Sequence, residues 1–164
     1  MLERVTYIAS SLPGVVIALA LITVSVRYVP GIYQSPLLLV LCYSILFIPR
    51  AMVSLRSGLA AAPPELSDAA RSLGCSPLGA FRRVVLPLIL PSALTGAALV
   101  AIAAATELTA TLLLSPTGTS TLATAFWAAS DEFDYAGAAP FAAMMILLSA
   151  PLTVLMLRQS GITE

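Results

Sequence analysis

The chain has 164 residues, of which 59% are hydrophobic and only 10% charged, where soluble domains run at about 45–50% apolar and about 25% charged. A water-soluble globule of this length cannot bury so much apolar surface, so the composition predicts a membrane protein. Eight basic residues balance eight acidic ones, which gives no nucleic-acid footprint. The absence of lysine and histidine excludes a phosphate-cradling P-loop, a histidine-dependent nucleophile and the usual histidine-containing catalytic zinc site.

Crossing the hydrocarbon core takes about 20 mostly apolar residues. Four stretches qualify, at 8–26, 36–53, 88–114 and 138–157, and they predict an all-α integral membrane chain of four transmembrane helices. A removable signal peptide is a poor reading of the first, because Glu3 sits beside Arg4 and further spans follow. Prolines are expected to mark the ends: Pro13 near the start of the first span, Pro36 opening the second, Pro87 and Pro91 opening the third and Pro116 closing it. Pro49 and Pro151 are expected to kink their helices. Cys42 and Cys75 show no CxxC spacing and read as small, buried or half-buried side chains.

The arginines orient the spans. Arg4, Arg50, Arg56, Arg71, Arg82, Arg83 and Arg158 fall on one side; Arg27 falls on the other with Asp131, Glu132 and Asp134. The positive-inside rule puts the first set in the cytoplasm, with both termini and the loop 54–87. The loop 115–137 then faces outward. Its Thr117-Gly118-Thr119-Ser120 run, followed by Phe126 and Trp127, predicts a turn and a short interfacial helix.

The cytoplasmic loop is the informative segment. Two prolines, Pro63 and Pro64, precede a helix expected over 65–73, with Glu65 in its first turn and Gly74 ending it. Leu66, Ala69, Ala70 and Leu73 follow the i, i+3, i+4, i+7 spacing of one face. A helix this short cannot hold itself together in water, so that stripe is expected to dock on the bundle, a partner, or both. Ser76-Pro77 reads as the N-cap and first position of a second short helix ending near residue 83.

This loop resembles the EAA motif of type I ABC-importer permeases: Glu-Ala-Ala, three residues, Gly, nine residues, Ile, one residue, Leu-Pro. Asp68-Ala69-Ala70, Gly74, Val84 and Leu86-Pro87 occupy every position without a gap, with Asp68 for Glu and Val84 for Ile. The resemblance implies a partial permease fold in a bacterial inner membrane. Glu65, Leu66, Asp68, Ala69, Ala70, Leu73, Gly74, Val84, Leu86 and Pro87 would then couple to a cytoplasmic ABC ATPase dimer. That partner, not this chain, would bind ATP, so no cofactor is expected here. An extracytoplasmic solute-binding protein, membrane lipid and a second permease half or further N-terminal spans complete the implied set of partners. The segments 12–16 and 107–114 resemble those of iron(III) importer permeases, with thiamine, polyamine and phosphonate permeases as alternatives. In that comparison the chain matches the last four spans of one permease half, and a non-transporting remnant or assembly subunit is the competing reading. An intramembrane enzyme is the weaker alternative: Gly74-Cys75-Ser76-Pro77 superficially resembles a nucleophilic Gly-x-Ser segment, but it lies in a charged cytoplasmic loop and has no histidine to act as its base.

Glu107 is the one carboxylate inside an expected span. Such groups usually face a bundle interior or a water-filled path. With a helix start at residue 88 it lies about 28 Å along the axis, near the outer surface. It reads either as a pathway group, with Thr109 and Thr111, or as a structural one. Gly96, Ala97, Ala98, Ala101 and residues 103–105 form a small-residue face expected to pack on another helix.

Overall fold

The computed structural model describes residues 12–159. Residues 8–11 of the first expected span, Arg4, the Arg158 side chain and both chain ends lie outside the described set. The described residues are helical and contain no strand. In chain order they form α1 (Gly14–Tyr28), a 3-10 turn (Pro30–Ile32), α2 (Pro36–Ala60), α3 (Pro64–Ser72), α4 (Pro77–Ala80), a π turn (Phe81–Val85), α5 (Leu86–Ala105), α6 (Thr109–Leu114), α7 (Leu122–Asp131) and α8 (Tyr135–Gln159). Two helices, Pro36–Ala60 and the continuous Pro77–Ala105, are long and apolar enough to cross a membrane, while Gly14–Tyr28 and Tyr135–Pro151 are shorter apolar helices. Large apolar side chains such as Leu19, Val24, Leu37, Val40, Ile146 and Leu147 stand exposed, as a lipid-facing surface requires.

The helix ends differ from the expected spans for identifiable reasons. α1 starts at Gly14 because Pro13 is extended (φ −58°, ψ 140°) and serves as its N-cap. Pro36 does open α2, and Ser35 supports it by accepting Leu38 N–H at 3.4 Å. That helix runs to Ala60, past the expected end at residue 53. The segment 54–60 is less apolar but forms helix readily, and only Pro63-Pro64 stops it. Pro49 lies inside α2, Pro140 and Pro151 lie inside α8, and α8 itself extends beyond the expected 138–157 at both ends.

The third expected span needs the largest correction. Pro77 opens the helix, and Pro87 and Pro91 lie within its 29 residues rather than at its start. The second short helix is therefore not a separate element. A proline in a helix interior has no N–H to donate and crowds the carbonyl of the preceding turn; the π turn directly before Pro87, closed by Leu86 N–H to Phe81 O, widens the backbone where that crowding falls. At the other end the helix stops at Ala105. Thr106 Oγ1 donates back to Ile102 O at 2.9 Å, and Glu107 Oε1 accepts forward from Ala110 N–H at 3.0 Å. These local bonds compete with the helical ladder and make α6 a new helix.

The chain divides into two compact units, Ile48–Val100 and the rest. In the second of these, Ile17 and Ala18 of α1, Leu38, Leu39 and Cys42 of α2, and Ala110 and Leu114 of α6 form the buried core. α7 and α8 pack on each other there. Thr121 and Thr124 build a capping box at the start of α7, and Asp134 Oδ1 accepts Gly137 N–H at 2.9 Å to cap α8. The expected turn before α7 is present, with Gly118 at φ 84°. Phe133, between α7 and α8, holds φ 61°, a left-handed conformation that costs a residue with a Cβ about 1–2 kcal/mol. Cys42 and Cys75 are both free thiols, the first buried and the second half-buried.

Candidate coupling surface and pathway residues

Within the unit Ile48–Val100, α3 packs against α4 and the π turn. Its C-terminus is closed by two bonds: Gly74 N–H to Arg71 O at 3.0 Å and Cys75 N–H to Ala70 O at 3.1 Å. This is the Schellman arrangement, and it places the residue after the C-cap in the left-handed region. Gly74 has φ +88° with no atom within 4 Å of where a Cβ would stand. Glycine is needed there for its backbone and not for space. Ser76 then caps α4, accepting Gly79 N–H at 3.1 Å, as its sequence predicts.

The expected apolar stripe of α3 divides in the structure. Ala70 is buried against the chain, whereas Leu66, Ala69 and Leu73 are exposed, Leu73 at 86%. Glu65 and Asp68 are exposed as well. Asp68 Oδ1 lies 3.8 Å from Arg71 Nη1 on the same helix, a surface pair that contributes little to stability. Val84 sits half-buried in the π turn beneath α3, and Leu86-Pro87 follow, exposed. The motif thus has two parts. Residues 65–74 build an exposed, end-capped helix, and residues 84–87 shape the helix it rests on.

One packing device was only half legible in the sequence. A Cβ at Gly96 of α5 would stand 2.8 Å from Ser54 Cβ of α2, and a Cβ at Gly58 of α2 would stand 2.8 Å from Ser92 Cβ of α5. Ser54 and Gly58 on one helix face Gly96 and Ser92 on the other, in antiparallel register. This reciprocal clasp lets the two helices that flank residues 61–76 approach closely. Gly96 was expected in such a contact; its partners were not, although the matching Ser-x-x-x-Gly spacing on both helices is the signal that identifies them.

The three candidate pathway residues differ in their surroundings. Thr111 is completely buried, while Thr109 is exposed. Thr111 Oγ1 donates to Glu107 O at 2.6 Å and lies 2.5 Å from the Tyr43 hydroxyl. Its single proton is spent on the carbonyl, so Tyr43 O–H is the donor of that second bond. Glu107 is half-buried. Besides capping α6, its Oε1 would stand 3.5 Å from a Cβ at Gly14, the first residue of α1. The segments 12–16 and 107–114 therefore meet in space, joined to α2 through Tyr43. Helix starts favour a carboxylate, and this geometry gives Glu107 a structural task. Tyr43, deep in an apolar run, carried no sequence signal for its part in it.

A family model described as "Binding-protein-dependent transport system inner membrane component" matches residues 1–162. The chain is 36% identical to the Fe(3+)-transport system permease protein FbpB 2 of Haemophilus influenzae over 148 residues, 90% of this chain and 29% of that protein. It is 30% identical to a protein of Salmonella typhimurium named as a 2-aminoethylphosphonate transport system permease, PhnV, over 164 residues, 99% of this chain and 60% of that one. A segment of 53 residues is 43% identical to the diacetylchitobiose uptake system permease protein DasC of Streptomyces coelicolor, covering 32% of this chain and 19% of that protein. The chain thus spans 29% and 60% of the first two relatives' lengths. Matched along almost its whole length, and all-helical and apolar as that membrane fold requires, the chain belongs to the family of inner membrane permease components of binding-protein-dependent ABC importers.

Proposed function

We propose that this chain forms part of the solute pathway of an ATP-binding-cassette importer for iron(III), driven by a separate cytoplasmic ATPase dimer through α3. The carrying observation is the state of α3: the motif spacing from Asp68 to Pro87 starts on a capped helix whose Leu66, Ala69 and Leu73 stand exposed among the described residues. An ATPase cleft is the surface that would bury them. Closure of the ATPase on ATP would push α3, and the π turn beneath it would pass the displacement to Pro77–Ala105, so that access alternates between the two sides. The arginine distribution supports a cytoplasmic α3 and cytoplasmic termini in a bacterial inner membrane. An extracytoplasmic binding protein would deliver the solute. Further spans, from the same polypeptide or a second permease half, would complete the path.

Iron(III) is favoured because the relative at 36% identity is named for Fe(3+) transport. The phosphonate-named relative, aligned over 99% of the chain, makes a phosphonate the second candidate cargo. The test is solute uptake in a strain lacking the native permease, with iron(III) and 2-aminoethylphosphonate supplied in parallel. Gly74→Asp is expected to abolish uptake while membrane insertion and protein level stay unchanged. Normal uptake in that variant refutes the coupling role of α3.

A further inference from the structure

The turn Phe81–Val85 is the one π turn among the described residues. Leu86 N–H closes it on Phe81 O, a bond that reaches back five residues where an α-helix reaches back four, so the turn holds one residue more than the helix on either side. Single wide turns of this kind are rare and concentrate at functional sites. Pro87 follows directly, and its ring favours a widened turn before it. A proline does not demand one: the turns before Pro49, Pro91 and Pro151 are ordinary α-helix. The turn before Pro87 differs from those in that α3 packs on it, with Val84 half-buried inside it. The Pro87 side chain is itself exposed, which leaves the backbone as its route of influence.

We propose that Pro87 is a positioning residue for coupling: it holds the turn 81–85 wide, and the extra residue in that turn sets the direction in which α3 faces. The inference rests on the coupling reading above and adds to it how the angle of α3 is fixed. Each residue of an α-helix turns the chain by about 100° and advances it by about 1.5 Å. Closing the wide turn to an ordinary one, with the same residues, would rotate α4 about the axis of α5 by about that angle. The joint from α4 back to α3 is stiffened by local bonds, Cys75 N–H to Ala70 O and Gly79 N–H to Ser76 Oγ, so the rotation is carried to α3. Leu66, Ala69 and Leu73 would then face a different direction. A proline that acted only by touching the ATPase would need no wide turn, and one that acted only as a kink would not set a phase.

The experiment uses the whole permease with its ATPase in proteoliposomes, supplied with the binding protein of the same system loaded with iron(III) or with 2-aminoethylphosphonate. Cargo imported per ATP hydrolysed measures coupling. Nitroxides attached at Leu73→Cys and Leu94→Cys, both exposed positions, in a Cys42→Ala, Cys75→Ala background, measure how α3 sits against α5. Pro87→Ala is expected to shift that distance and to lower cargo per ATP about tenfold, with membrane insertion and ATPase association kept. Deleting Arg82 from that variant, or Arg83 in a parallel one, turns the Leu86 N–H to Phe81 O bond into an ordinary four-residue one. Either deletion is expected to return both readings to the wild-type values. An unmoved label distance in Pro87→Ala overturns the proposal, and so does normal coupling in a variant whose distance has shifted. Failure of both deletions to restore coupling also overturns it, because the proline ring itself would then be what coupling needs. No ATP-driven import by the wild type with either cargo refutes the coupling reading, and the positioning role with it.

Discussion

Replacing Gly96 by alanine tests how the helices on either side of residues 61–76 are held together. The new Cβ would stand 2.8 Å from Ser54 Cβ, 3.3 Å from Ser54 Oγ and 3.7 Å from Ala51 O. Carbon atoms in contact prefer about 3.5–4.0 Å, so the first of these is short by about 1 Å. Ser54 Cβ is bonded to its own backbone and cannot rotate away; the helices must part. Overpacking of this kind costs about 1–3 kcal/mol. Alanine in place of glycine gains about 1 kcal/mol of helix propensity, so the net loss for the single variant is about 0–2 kcal/mol. That range alone decides little.

A double-mutant cycle with Ser54→Gly separates the two effects. With the Ser54 Cβ gone, Gly96→Ala should show only the propensity gain, leaving a coupling energy of about 1–3 kcal/mol. Gly58→Ala with Ser92→Gly should behave alike, because Gly58 faces Ser92 Cβ at the same 2.8 Å. Gly31→Ala is the control, since no atom lies within 4 Å of its would-be Cβ. Reversible unfolding of the purified permease in detergent or nanodiscs measures all four corners of each cycle. Additivity of Gly96→Ala and Ser54→Gly within about 0.5 kcal/mol would refute the clasp.

Other outcomes follow from the buried polar contacts. Tyr43→Phe removes the donor to the fully buried Thr111 and should cost about 1 kcal/mol, with Thr111→Val non-additive to it in the same unfolding assay. Glu107→Ala leaves Ala110 N–H without its cap and should cost about 1 kcal/mol, whereas Glu107→Gln keeps an acceptor oxygen and should cost much less. If uptake falls equally in both variants while Gln preserves stability, the charge itself matters and Glu107 is a pathway group. Ser76→Ala removes the acceptor for Gly79 N–H and should destabilise the start of Pro77–Ala105 by about 1 kcal/mol, read as faster hydrogen exchange at residues 79–80.

Much of the loop that carries α3 was legible in the sequence because its controlling interactions are local. Gly74 after an amphipathic run, Ser76 before Pro77 and Pro36 at a helix start each act within about one turn of the chain. The helix limits were less legible. Counting apolar residues marks the thickness of hydrocarbon a segment could cross, not the residue at which its hydrogen-bond ladder stops. Hence α2 ran on to Ala60, and the expected 88–114 helix began at Pro77 and broke after Ala105. No proline or glycine announces that break; a threonine hydroxyl and a glutamate carboxylate make it.

Composition by itself pointed to the class of this chain, and the spacing from Asp68 to Pro87 pointed to its family. These are properties of residue type and order, independent of how the helices pack. Only the tertiary structure decided which side chains meet. Tyr43 and Thr111 are 68 positions apart, Ser54 faces Gly96, and Gly14 lies beside Glu107. Such pairs depend on how helices cross; the Ser-x-x-x-Gly spacing marks two faces able to meet, and only the packing shows that they do. The same holds for burial: α3 presents one apolar stripe in sequence, yet only its packing shows that Ala70 turns inward while Leu73 stays uncovered, free for a partner to bury.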